Sequence, residues 1–600
     1  MRRVLGMLFI LICLTSLACR ALLPAAAPTD LPDTPATAVP TRTAIPTPLP
    51  TATATQTISP TIPPTETATQ PLSQPSGPSG FSVRYHPDGG LYVGDLVSLE
   101  VLTPTGEMMD SSSVQIELDG APSQVIARAN FYPFGIGQRM QATLTWAWDT
   151  QGLAPGEYTL RYTVIPGDLS WEETIVLLPR EDLPLSEQEA AWASATNHCC
   201  AVHYMVNTEA ERDLPELLPI IDAQAQAVSE RMGISFSQPI TITLLPRVMG
   251  HGGFAGGEIH ISYLDRNYTE GQLETILHHE MVHILDERLG GDLRPSILVE
   301  GLAVYLTGGH YRSGQLLPQA AALLDSWGTP PQPGLNRYLP LRELADQFYT
   351  SQHEVGYLQA GALVAYMVER WGWDGFSTFY RDIHPHATDS QALALEAALQ
   401  ASFGLSLTQL EQDFKDSLRQ QATSPDIIQE VELTIRYYDA LREYQRQLDP
   451  SAYFLNAWLV DAPTMRQKGI VADYLRHPQS PYNLALETLF VTAGSQMHAG
   501  WLSRAAGTLT AIESVLQELR QGNPDPFASS PIASDYLSLA ESVIQDPALG
   551  IDYELQRLEI QEKTARVWIS NPTSELFQLI FENTEAGWRR KTPVNVETGE

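Results

Sequence analysis

The stretch Gln272-Leu273-Glu274-Thr275-Ile276-Leu277-His278-His279-Glu280-Met281-Val282-His283-Ile284-Leu285-Asp286 decides the reading of this 600-residue chain. It has helical periodicity and no Pro or Gly after Gly271, so it predicts an uninterrupted helix. His279 and His283 stand four apart, about 40° around such a helix, and both imidazoles can reach one ion. Glu280, one step round, can address a water beside that ion without competing as a ligand. This is the HExxH spacing, in which the Glu serves as general base. His278 stays outside the pair, because its partner position is Val282. The residues between are apolar, as a helix crossing a core requires.

Working outward, Gly290-Gly291 predicts the helix end, and Arg294-Pro295-Ser296 opens a second helical run, ILVEGLAVYLTGG. Glu300 lies near the start of that run, 17 residues beyond His283 (300 − 283). A helix returning antiparallel to the first brings this carboxylate to the ion. His279, His283 and Glu300, with one position open, form the donor set of a catalytic rather than a structural zinc. Glu287 is a rival third ligand.

These residues resemble the gluzincin metallopeptidases, specifically the peptidase MA-like group. The matching runs are His279-Glu280-Met281-Val282-His283 and Val299-Glu300-Gly301-Leu302-Ala303. Tyr357-Leu358-Gln359-Ala360-Gly361, Arg370-Trp371-Gly372 and the run from Phe403 to Glu411 follow them. The resemblance covers roughly residues 190 to 420. It implies an α+β metallopeptidase domain, one Zn2+ per chain on His279, His283 and Glu300, Glu280 as base, and a peptide or protein substrate.

Upstream, Gly252-Gly253-Phe254 and Gly257-Glu258-Ile259-His260-Ile261 look like the family's edge strand, which pairs with an extended peptide. Gly257 and Glu258 are therefore candidate substrate-binding residues. Related aminopeptidases place a Tyr at a comparable distance after the Glu ligand, which makes Tyr357 the first candidate for stabilising the oxyanion. Its other reading is a buried aromatic on the helix YLQAGALVAYMVERW, and His353 is the second candidate donor. The sequence also departs from the family. Where some members carry an Asp four residues after the Glu ligand, Val304 stands here. Asp286 has two readings, a partner that orients an imidazole or a solvated charge at the helix end.

The remaining His and Trp have plainer readings. His198 and His203 flank a strand as packing or surface residues, His384 and His386 sit in a loop around Pro385, and Trp371 and Trp373 close the underside of a helix. His310 follows Gly308-Gly309 just past the second helix. Cys199 and Cys200 are adjacent, and alternation along a strand favours two separate thiols over a vicinal disulfide.

The N-terminus reads as an export signal. Met1-Arg2-Arg3 precedes an apolar stretch from Val4 to Leu17, and Ser16-Leu17-Ala18-Cys19 resembles a bacterial lipobox with Ser16 in place of an aliphatic residue. That resemblance implies cleavage before Cys19, lipidation of its sulfur and an address on the outer face of the cell membrane, or secretion. No later segment approaches the length of an apolar membrane span. Residues 20 to 80 form a Thr/Pro-rich linker that holds 14 of the 44 Pro.

Residues 81–182 alternate with period two between turn signals and predict an immunoglobulin-like β-sandwich. Gly152 to Leu160 resembles a late hairpin of that fold. Residues 183–424 carry the metallopeptidase pattern, and residues 425–600 read as mainly helical with short strands at the end.

Lys and Arg total 36 against 70 Asp and Glu, a formal net charge of -34. That excludes a nucleic-acid binder, which needs a basic face to meet phosphates. Two function classes remain: a surface-anchored zinc metallopeptidase, and a catalytically inactive peptidase-fold lipoprotein that binds or adheres.

Overall fold

The computed structural model describes residues 80–591, apart from 105, 108, 110, 121–123, 168, 311, 352–353, 454–457, 459, 548 and 550–552. The export segment, Cys19, nearly all of the Thr/Pro-rich linker and His353 lie outside the described residues.

Period-two alternation gives nine strands: β1 (Ser82–His86), β2 (Leu91–Tyr92), β3 (Leu96–Leu102), β4 (Ser113–Leu118), β5 (Gln124–Asn130), β6 (Tyr132–Phe134), β7 (Arg139–Asp149), β8 (Gly156–Ile165) and β9 (Ser170–Leu178). They form two sheets, ordered β1-β3-β7-β6 and β2-β9-β8-β4-β5. Val97, Leu99 and Val101 of one sheet and Val114, Ile116 and Leu160 of the other share a buried cluster. The expected hairpin at Gly152 to Leu160 is instead a corner, because β7 and β8 belong to different sheets. The Thr150 hydroxyl donates to Asp95 O at 2.9 Å, and the Tyr158 hydroxyl to Ala154 O at 2.8 Å. These bonds fix the turn as a passage between layers.

A further, mixed sheet contains β10 (Trp192–Thr196), β11 (Cys200–Met205), β12 (Ile240–Leu245), β13 (Gly253–Ala255) and β14 (Ile259–Ser262). Its order is β10-β11-β12-β14-β13, so β13 is an edge strand, antiparallel to β14. Cys199 and Cys200 are joined by a disulfide, which corrects the expectation of two separate thiols. Cys199 lies in the turn before β11, where Asn197 Oδ1 accepts from Cys200 N at 2.9 Å, so strand alternation does not separate the pair.

The sheet shares one core with the motif helix (Leu273–Leu289), the Glu300 helix (Ser296–Thr307) and the long helix Glu354–Arg381, which breaks at Gly372. The last two cross closely. A Cβ on Gly301 would lie 2.6 Å from Ala360 O, and one on Gly361 would lie 2.3 Å from Val304 Cγ1. Glycine at both positions lets the backbones approach.

Beyond residue 424 come helices including Pro425–Leu448, Pro481–His498, Leu502–Arg520 and Pro531–Ile544. An antiparallel sheet of Glu554–Gln561, Thr564–Ser570, Leu576–Thr584 and Gly587–Arg590 shares their core, as expected for this region. The chain is thus multidomain, with several sheets and about sixteen helices among the described residues. No helix among them is long and apolar enough to cross a membrane.

Ion pairs tie the first two sheets to residues 446–477. Arg476 pairs with Asp95 at 2.6 Å and with Glu187, and Arg247 with Asp449 at 3.0 Å and Asp88 at 3.4 Å. The Trp146 indole donates to Asp473 at 3.2 Å.

Candidate metal centre

Helical spacing stacks His279 and His283 on one side of the motif helix, with ring centroids 4.7 Å apart. Both Nε2 atoms face one oxygen of Glu300, at 3.2 Å from His279 and 3.4 Å from His283. The three residues are the group among the described residues arranged to hold a metal ion, each offering a donor atom within 4.8 Å of the others. Glu287 is not in the group; its side chain is 56% exposed and lies 3.7 Å from Arg294.

Charge makes the same point. Glu280 and Glu300 are both buried, yet no Lys or Arg among the described residues ion-pairs with either. Buried carboxylates need a compensating cation. Burial pushes the Glu280 carboxyl above its ordinary range. Burial opposes ionisation of Glu300 as well, but the two imidazoles, His283 foremost, hold it well below the carboxylate range. Burial lowers His279; it opposes the charge of His283 as well, but the charge and hydrogen bond of Glu300, with the charges of Glu280 and Asp286, together outweigh it and raise that imidazole to about 9. Two imidazoles and a carboxylate around one point form a donor set that suits zinc. Both Nδ1 atoms are buried without a hydrogen-bond partner, so packing rather than a second ring bond orients the two imidazoles.

The supporting groups differ in part from those the sequence suggests. The Tyr349 hydroxyl donates to the other Glu300 oxygen at 2.5 Å, a contact the sequence does not signal. Asp286 is fully buried and accepts from Arg294 at 2.7 Å, so it is neither a solvated helix-end charge nor bonded to either imidazole. Val304, where the resemblance would place an Asp, packs against Gly361.

Tyr357 is buried and stacks on His310 with centroids 3.7 Å apart. His310 in turn lies 5.3 Å from the His279 ring and bonds Glu354 through Nδ1 at 2.9 Å. The sequence signal for His310 is Gly308-Gly309. Gly308 caps the Glu300 helix with φ 83°, and a Cβ on Gly309 would fall 1.7 Å from Arg312 O. Only glycine allows the turn that brings His310 back. Beyond it, His251 lies 6.5 Å from the His310 ring, and Arg442 reaches His251 Nε2 at 3.5 Å.

The edge strand lies over Glu280. A Cβ on Gly253 of β13 would stand 3.4 Å from Glu280 Oε1 and 2.4 Å from Ile276 Cγ2, so glycine lets the strand backbone rest against the carboxylate. Gly257 is exposed in the turn between β13 and β14, with φ 83°. Glu258, the other candidate substrate-binding residue, is buried. Its carboxylate meets Arg466 at 2.7 Å, Thr243 at 2.8 Å and His260 at 3.1 Å.

The plainer readings also find their places. His198 is exposed and His203 half-buried, His384 is in an exposed pair with Asp292, His386 bonds Thr388, and Trp371 stacks on Phe403.

No protein-family model matches the chain, and no curated protein matches it. Among solved structures, IMPa from Pseudomonas aeruginosa, determined in complex with an O-glycopeptide, aligns with a TM-score of 0.19 and 12% identity. The alignment covers 61% of this chain and 52% of that one, about half its length. A likeness this low carries no argument.

Proposed function

We propose that the chain is an exported zinc metallopeptidase, anchored at the outer face of the cell membrane through Cys19. In this reading residues 183–424 form a gluzincin domain of the peptidase MA-like kind, and residues 81–182 an immunoglobulin-like module behind the linker. The observation that carries it is the convergence of His279, His283 and Glu300 within 4.8 Å, with Glu280 buried beside them.

Zinc held by these three residues supplies a Lewis acid that polarises a peptide carbonyl and makes water acidic near neutral pH. Glu280 takes the proton from the attacking water and passes it to the leaving amine, a task that suits a carboxyl raised by burial. The edge of β13 pairs with an extended substrate through backbone hydrogen bonds, which draw on little side-chain selectivity. Tyr357 donates to the developing oxyanion, and His310, held by Glu354, braces its ring and stands as the neighbouring donor.

Zinc-loaded wild type and Glu280→Gln, incubated with a broad peptide library, test this reading by mass spectrometry. Wild type should cleave, and Glu280→Gln should keep its metal while losing roughly 10²–10⁴-fold in rate. Equal behaviour of the two proteins would favour the binding or adhesion reading instead.

A further inference from the structure

Beside His310 and Glu354 lies a cavity of about 50 Å³ to which the proposed mechanism assigns no role. Val304, Leu316 and Leu358 form one wall, and Val431 and Ile435 of helix Pro425–Leu448 form the other. Arg312 and Thr434 meet across it at 2.9 Å. The cavity is therefore composite, with eight lining residues from the metal-bearing region and four from helix Pro425–Leu448.

One side of that helix faces the centre. Val431, Thr434, Ile435, Tyr438 and Arg442 recur at intervals of one, three or four residues and fall on one side of a 3.6-residue spiral. Val431, Thr434 and Ile435 line the cavity, and Tyr438 and Arg442 contact His251. The helix buries an apolar stripe that includes Leu433, Tyr437, Leu441 and Tyr444 in the core beyond residue 424. Its side toward the centre lines a cavity with Thr434 and sets a guanidinium two rings away from His279.

Resting on the peptidase reading, we propose that this cavity is the pocket for a substrate side chain next to the scissile bond. Its small volume, with aliphatic side chains set among the polar Gln319, Glu354, Arg312 and Glu430, selects a small side chain such as Ala, Ser, Thr or Val and excludes aromatic rings. His310 lines the pocket and also stands 5.3 Å from the His279 ring, so a peptide at the metal centre places a neighbouring side chain there. Residues 425–600 thus contribute selectivity, whereas the backbone pairing along β13 contributes affinity. One extra or missing methylene in such a pocket is worth roughly 10–200-fold in kcat/KM.

The test is product mapping on peptides varied one position at a time, with wild type, Thr434→Phe and Gln319→Phe, the last filling the pocket from the opposite wall. Zinc content and thermal melting of each variant show whether it is folded. For wild type, one position flanking the cleaved bond should favour small residues over Phe by at least tenfold in kcat/KM. Either folded variant should lose at least tenfold for Val against Gly at that position, through KM. An unchanged profile in a folded variant that still cleaves overturns the pocket and leaves the peptidase reading standing. Absence of cleavage by zinc-loaded wild type overturns both.

Discussion

A single hydroxyl, that of Tyr349, fixes one oxygen of Glu300 while the other faces two imidazoles. Partners of this kind orient a metal ligand, and their loss costs roughly 10–100-fold in metal affinity. Tyr349→Phe should weaken zinc binding by that factor in a chelator competition; unchanged affinity would mean that packing alone holds Glu300. Tyr357→Phe should keep the metal and lose roughly 10²-fold in kcat. A loss below about threefold would move the donor role to His310.

Away from the site, burial and the nearby Asp265 push Glu209 up to about 7. The folded chain then holds a proton that the unfolded chain releases near the ordinary value of 4.5. Stability therefore falls as pH rises from about 4.5 to about 7, by up to about 3 kcal/mol. Glu209→Gln should flatten that limb in denaturant titrations at pH 5 and pH 8. An identical pH slope in the variant would contradict the assignment.

At the scale of elements, the crossing of the Glu300 helix with the long helix sets where the third donor sits. Gly301 follows Glu300 directly, and its missing Cβ is what allows contact with Ala360 O. Gly301→Ala should cost about 1–3 kcal/mol in stability, because a backbone atom blocks the methyl group. It should also lower zinc affinity by moving Glu300. A variant with wild-type melting and zinc binding would show that the helices can separate freely.

The motif helix and the start of the Glu300 helix are legible in the sequence because both signals are local: spacing, caps and an apolar run. Tyr349, His251 and Arg442 are not, because the chain returns to the centre from far away in sequence. Tyr349 stands 49 residues from Glu300 (349 − 300), His251 stands 28 from His279 (279 − 251), and Arg442 stands 159 from His283 (442 − 283). No motif links them. The corner before β8 resembles a hairpin in sequence for the same reason: turn residues announce a reversal but not which sheet the next strand joins.

At the scale of the whole molecule, composition predicts separate modules on a tether, and the described residues add buried ion pairs between them. Arg476 satisfies Asp95 and Glu187 together, and removing it leaves two acids in a mostly buried place. Breaking such a pair costs about 3–5 kcal/mol. Arg476→Ala should lower the main calorimetric transition of a chain whose two-sheet module and C-terminal helices melt together. Separate, unshifted transitions would show that these contacts do not couple the regions. The acidity of the chain lies outside residues 1–80, which carry four Arg and three acids, so it belongs to the folded regions.

The most direct measurement is the zinc content of the purified chain beside His283→Ala and Glu300→Ala, by elemental mass spectrometry after gel filtration. A His279, His283 and Glu300 centre predicts about one zinc per wild-type chain and near none in either folded variant. Wild type without zinc, or variants that keep it in full, would contradict the proposed centre.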